Sequence, residues 1–243
     1  ADAAGLEDPT PLVQELAAHH LISRIPGTSD DWRLASELVR TAALRGTMGI
    51  QRRDYHRLIA GALERRSDDL DSLAVTLMEH CAAGGRAVDA ARYAFRAGKV
   101  HEQTQAFEAA RAIYVRGLEL VDQIPDGAEN WDAKVQGEAM LHLHLGRMQL
   151  LLGEPSRGQR ALAVALEVAS EAGLPWIESR AHLALGRHHQ QRGALALARA
   201  HIDQAMALRR LDDDVTMERE TLEAAAHLAQ DEGRSDEARV LWQ

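Results

Sequence analysis

Aromatic residues make up only 4% of this 243-residue chain. Prolines number six, and no stretch alternates Val, Ile or Thr with polar residues. With so few of the side chains that fill pleated surfaces, a fold built on sheet is excluded. A single cysteine, Cys81, leaves no internal disulfide, and a reducing cytosol is the simplest compartment. Its setting, LMEHCAAGG, suits a small buried residue better than a nucleophile. No apolar run approaches the roughly eighteen residues of a membrane-spanning helix, and there is no signal peptide. Basic residues are outnumbered, 28 Lys and Arg against 37 Asp and Glu, for a formal net charge of −9. Such a chain has no global attraction for nucleic acid. The Gly-rich loop that cradles phosphates is missing, as are Gly-x-Ser-x-Gly and His-Glu-x-x-His, so no catalytic residue, cofactor or nucleotide site is expected.

What is abundant is alanine, leucine and, unusually, histidine. The segments AMLHLHLGRMQLLLG and RAHLALGRHHQQRG hold five of the twelve histidines. His142 and His144 are two apart and point to nearly opposite sides of a helix. His182 and His189 share a face but lie about 10 Å apart along the axis, too far for zinc–nitrogen bonds of about 2 Å to one ion. Filler between helices is the reading this spacing favours, with an enzyme or metal protein built on a histidine site as the weaker alternative.

The two segments belong to a repeat. Gly146 aligns with Gly186, Gly153 with Gly193, Leu162 with Ile202 and Ala165 with Ala205, each pair forty residues apart; Gly233 continues the register. Self-similarity at such a period marks a stack of supersecondary units. Apolar periodicity and turn residues place helices near 87–103, 106–123, 131–152, 156–172, 176–192, 195–210, 214–231 and 235–243, the 214 helix starting at Asp213 or Asp214, and a first array helix at Asp69–Ala83. In the first 66 residues, helices are expected at TPLVQELAAHHLI, SELVRTAALRGTM and IQRRDYHRLIAGALERR, and SRIPGTSDDWRLAS, the one long non-helical stretch, fits a two-stranded wing around Pro26-Gly27.

Within a unit, Leu185 and Gly186 are followed by Gly193, Ala198, Ile202 and Ala205. This spacing resembles the tetratricopeptide repeat. The match is specific over 139–243 and looser over 87–123, where Ala97-Gly98, Ala110, Tyr114 and Gly117 fit and Gln105 stands at the turn. The resemblance implies an all-α, right-handed solenoid of antiparallel helix pairs over 67–243, in which small residues let paired helices approach and large ones plug the gaps. The period exceeds the family's usual ~34 residues, which implies longer helices. Residues 1–66 resemble the winged-helix segment of bacterial STAND-type regulators, carried by His20-Leu21-Ile22, Glu37–Ala43, Arg53, Tyr55-His56, Ile59-Ala60 and Ala62–Glu64. WRLAS stands where that class usually has Phe-x-His. Arg52, Arg53 and Arg57 are interrupted by Asp54, so a solvated face is expected there rather than a DNA contact. The chain starts without methionine and stops part-way through a repeat, which reads as a fragment of a larger protein.

The functional expectation is a non-catalytic protein- or peptide-binding scaffold, the sensor or adaptor of a cytoplasmic bacterial signalling or transcription regulator. The alternative is an autoinhibitory arm of a STAND-type ATPase, whose only partner is the rest of its chain. Parents in the resembled class include transcription activators, serine/threonine kinases and nucleotide cyclases. The resemblance implies that the first helix of each unit lines a concave groove. Its inward positions include Arg92, Phe95 and Lys99, then Arg147 and Leu150, then Arg180, Leu183 and Arg187, with Leu143 and Glu220 in the same series. Cations among apolar side chains suit an acidic-plus-hydrophobic peptide. The same residues also fit a plainer arrangement, with solvated arginines and leucines packed on neighbouring helices.

Overall fold

A computed structural model of the chain describes residues 10–27, 31–46, 49–125, 127, 131–209 and 215–242. The chain divides into two compact units, residues 1–90 and 91–243.

The first unit holds α1 (Thr10–Ala18), the strands β1 (Ile22–Arg24) and β2 (Trp32–Leu34), α2 (Glu37–Gly46), α3 (Gly49–Arg66) and α4 (Ala74–Ala83). The strands pair antiparallel, Ile22 with Leu34 and Arg24 with Trp32, so a hairpin does form around Pro26-Gly27. Ser36 opens α2 as its cap, its Oγ accepting from the Val39 amide at 3.2 Å. α3 packs on α4. There the His56 and His80 Nδ1 atoms lie 2.8 Å apart, Arg57 Nε donates to the Gly84 carbonyl at 2.6 Å, and Arg86 grips both Glu64 oxygens at 3.0 and 3.1 Å. α4 begins five residues later than the sequence suggests. The Asp69 carboxylate accepts from the amides of Asp71 and Ser72, and this local turn competes with a helix over the same residues.

Beyond α5 (Ala87–Gln103), which runs across the division, the second unit is helical throughout its described residues: α6 (Phe107–Val121), α7 (Trp131–Leu151), α8 (Pro155–Glu171), α9 (Pro175–Gln191), α10 (Leu195–Arg209), α11 (Val215–Asp231) and α12 (Ser235–Leu241). Each expected helix of the array appears. The proposed helix start at Asp213 or Asp214 lies outside the described residues.

One turn motif joins these helices. At Gly193 the backbone turns left-handed, with φ 71°. Its amide reaches the Gln190 carbonyl at 2.9 Å, and the next amide, of Ala194, reaches back to His189 at 2.9 Å. Both carbonyls would otherwise be orphaned at the helix end. The same pair of bonds recurs at Gly85, Gly153, Gly173 and Gly233. It also recurs at Gln105, which takes φ 58° despite its Cβ. Gly173 halves the register for the turns, which recur every twenty residues over 153–193, while the packing contacts keep the period of forty.

Paired helices pack through the small-against-large contacts that the repeat implies. A Cβ on Gly146 would lie 2.7 Å from Leu162 Cγ, and one on Gly186 would lie 2.6 Å from Ile202 Cγ1. The buried cores alternate alanine with Leu or Ile: Ala139, Leu143, Leu162, Ala165, Ile177 and Ala181 in one cluster, Leu183, Ala198, Ile202, Ala205 and Leu228 in the next. The second helices are tied by ions as well, Arg111 of α6 to Glu154 at the start of α8 at 2.9 Å, and Arg199 of α10 to Glu232 and Glu237 around the start of α12. Ala198 and Ala205 are fully buried. Replacing either by leucine is expected to cost about 1–3 kcal/mol by overpacking. A urea midpoint equal to that of the wild type would mean that α9, α10 and α11 do not approach as described.

Candidate functional site

Alternate helices of the second unit share a face. α7 packs on α9 and α9 on α11, as well as each on its sequence neighbours. That face carries a cavity of about 340 Å³ whose walls come from α5, α7, α9 and the start of α11 alone. Of the residues expected to face inward, Phe95, Lys99, Arg147, Arg180, Leu183 and Arg187 line it, with Leu143 and Glu220. Arg92 and Leu150 do not. Arg92 is exposed and lies over the Tyr93 ring at 5.6 Å. Leu150 closes α7 on α8, its Cγ 2.7 Å from where a Gly158 Cβ would sit.

The apolar floor is part of the core. Leu143 and Leu183 are 0% and 3% exposed, so they give the cavity a rigid base rather than free pockets. The four cations above it differ in how they are held. Lys99 Nζ is 3.3 Å from Glu102 Oε2. Arg180 donates to the Trp176 carbonyl at 3.3 Å and lies over that indole at 5.0 Å. Arg187 reaches the Glu220 carbonyl oxygen at 3.1 Å and its carboxylate at 3.4 Å. Among the described residues, no hydrogen bond or ion pair engages the Arg147 guanidinium, which is half-buried. The lining thus carries four cationic side chains against one carboxylate, Glu220, in a chain whose formal net charge is −9.

Beneath the cations lies a buried polar network. Glu102 Oε1 accepts from Tyr114 Oη at 2.6 Å and pairs with His144 Nδ1 at 2.6 Å. Phe95 stands edge-on to the His144 ring, centroids 5.2 Å apart. Burial works against charge on Glu102, but the bonds from His144 and Tyr114 and the nearby Arg147 outweigh it and hold the carboxyl well below its ordinary range. Burial, Arg147 and Lys99 push His144 down, against the pull of Glu102. A carboxylate oxygen 2.6 Å from Nδ1 can only accept there, so Nδ1 carries its proton toward Glu102, and Nε2 is the ring nitrogen left over on a side chain that lines the cavity.

Sequence reasoning missed His144, Trp176 and Met217, all of which line the cavity. Each stands three or four residues before a charged lining residue, namely Arg147, Arg180 and Glu220. The helical-neighbour rule applied to those three would have found them.

The remaining histidines lie elsewhere. His182 Nδ1 is 2.9 Å from His201 Nδ1, and His189 stacks on His201 at 5.5 Å. Burial first, and His201 second, lower the His182 pKa to about 4. Among the described residues, no three His, Cys, Asp or Glu side chains are grouped to hold a metal ion.

The chain matches no protein-family model and no curated protein. One solved structure that it resembles is RapI in its apo form, with a TM-score of 0.59 at 12% identity, over 85% of this chain. The fold is a tetratricopeptide-like helical repeat. At that identity the likeness is one of fold, and the chain spans 56% of RapI's length. No helix among the described residues is long and apolar enough to cross a membrane.

Proposed function

We propose that the second unit is a non-catalytic binding module whose cationic, apolar-floored cavity receives a protein segment carrying carboxylates beside aliphatic side chains. The observation that carries this reading is the inversion of charge: four cations meet at one cavity of an acidic chain, and one of them, Arg147, makes no hydrogen bond or ion pair among the described residues. Guanidinium groups match carboxylates in shape as well as charge. The helical-repeat fold supports a scaffold role, since such stacks present extended surfaces to their partners. In this reading the chain is the sensor or adaptor of a larger, cytoplasmic bacterial regulator. The resemblance of residues 1–66 to STAND-type regulators supports that setting, and the partner segment comes from another protein or from the parent chain. No nucleic-acid partner is expected in this reading, since the net charge gives no global attraction to one.

The test uses an acetylated, amidated peptide alternating Asp and Leu, and a second with Lys in place of Asp. Fluorescence anisotropy should show binding of the acidic peptide alone, weakening as salt rises. Arg147→Glu with Arg187→Glu should leave the helical circular dichroism intact and weaken binding about 100-fold, or about 2.7 kcal/mol. Equal affinity for both peptides, or an unaffected double variant, would sink the proposal.

A further inference from the structure

Resting on that reading, we propose that His144 and Arg147 together form the anion subsite of the cavity, and that His144 binds the anion as an imidazolium, so that one proton is taken up for each acidic segment bound. His144 Nδ1 is committed to Glu102 at 2.6 Å, and Tyr114 also donates to that carboxylate, at 2.6 Å. The orientation of the ring is therefore fixed by a buried acid, and Nε2 is the one ring nitrogen that Glu102 leaves uncommitted, on a side chain that lines the cavity. Neutral, Nε2 offers a lone pair, which repels a carboxylate. Protonated, it becomes a charged donor. Arg147 stands one turn further along α7, on the same face, and lines the same cavity.

The surroundings oppose that proton until an anion arrives. His144 is 5% exposed. Lys99 of α5 and Arg147 of α7 act against its charge, and only Glu102 favours it. Arg180 and Arg187 of α9 and Glu220 of α11 face the same cavity. Tyr114 of α6 keeps its proton, since burial and Glu102 push it up. A carboxylate seated at Arg147 cancels cationic repulsion and accepts from Nε2–H, so it favours the imidazolium. By linkage the imidazolium favours the carboxylate to the same degree. Glu102 then neutralises the charge from below. The subsite thus distinguishes an anion from a neutral amide by more than the Arg147 contact, because only the anion stabilises the proton.

Calorimetry with the Asp/Leu peptide on the full chain tests this, run near neutral pH in two buffers of different ionisation enthalpy. We expect net proton uptake on peptide binding, up to about one proton per peptide, and a Kd that falls as the pH is lowered toward the ordinary histidine range, by at most about tenfold per pH unit. His144→Asn keeps a donor for Glu102 but has no Nε2, so it should abolish the proton uptake and flatten the pH dependence while retaining weaker binding. Binding by the wild type with no proton uptake overturns this inference and leaves the binding module standing. Uptake that persists in His144→Asn also overturns it, since another group then carries the proton. No binding of the peptide at any pH overturns the inference together with the reading it rests on.

Discussion

Gly98→Ala should destabilise the second unit by about 3 kcal/mol or more, the upper end of what overpacking costs. A methyl group there would lie 2.2 Å from Tyr114 Cε1 and 2.4 Å from Cζ. The phenol cannot swing aside, because its hydroxyl is bound to Glu102 at 2.6 Å, and moving it would leave a buried carboxylate short of a donor. The collision should therefore break a hydrogen bond as well as a packing contact. Thermal unfolding gives the measurement, and Gly137→Ala gives the control. Nothing lies within 4 Å of a Gly137 Cβ, and a mid-helix Gly→Ala is otherwise worth up to about 1 kcal/mol in favour of the fold. A cycle with Tyr114→Ala should recover most of the loss. If Gly98→Ala melts with the wild type, α5 and α6 do not meet as described.

The second large effect lies one bond deeper. Glu102→Ala should cost about 2–4 kcal/mol, since it strands the Tyr114 hydroxyl and the His144 Nδ1–H away from water, at about 1–3 kcal/mol for each buried donor without a partner. Tyr114→Phe removes only one of those bonds and should cost less than half as much. Glu102→Gln keeps an acceptor and should fall between them. Urea midpoints at neutral pH would rank the three. If Glu102→Ala were the mildest, the carboxylate would carry no structural role, and the fixed orientation of His144 above it would be in doubt.

How much of this was legible in the sequence depends on range. The repeat was, because its marks are local: Gly153, Gly193 and Gly233 sit at equal spacing, and each does the same job within six residues of itself. Gln105 was placed at its turn from register alone, against its own propensity. The cations of the cavity are legible once a helix face is assumed, and eight of the ten positions so named do line it. Leu150 shows where that logic fails. On a helix packed on both sides, positions one step apart divide between cavity and core, and the presence of Gly158 opposite decides which. The Glu102–Tyr114–His144 network was not legible, as its members are 12 and 42 residues apart and no short motif joins them. Nor was the contact of His182 with His201. His144 and His182, read as filler, are hydrogen-bonded partners, whereas His142 Nδ1 and His188 Nε2 are buried without one, a distinction that periodicity cannot make.

The twenty-residue half-period has a consequence for growth. Each turn of the 154–193 stretch satisfies its own backbone through bonds no longer than five residues, and the contact inside a helix pair recurs, Gly146 against Leu162 and Gly186 against Ile202. A duplication of forty residues between two such turns would insert a helix pair whose turns and internal packing are already made. The length of the array, and with it the extent of the face that its alternate helices share, can change by tandem copying without the invention of a new turn or a new helix-pair contact.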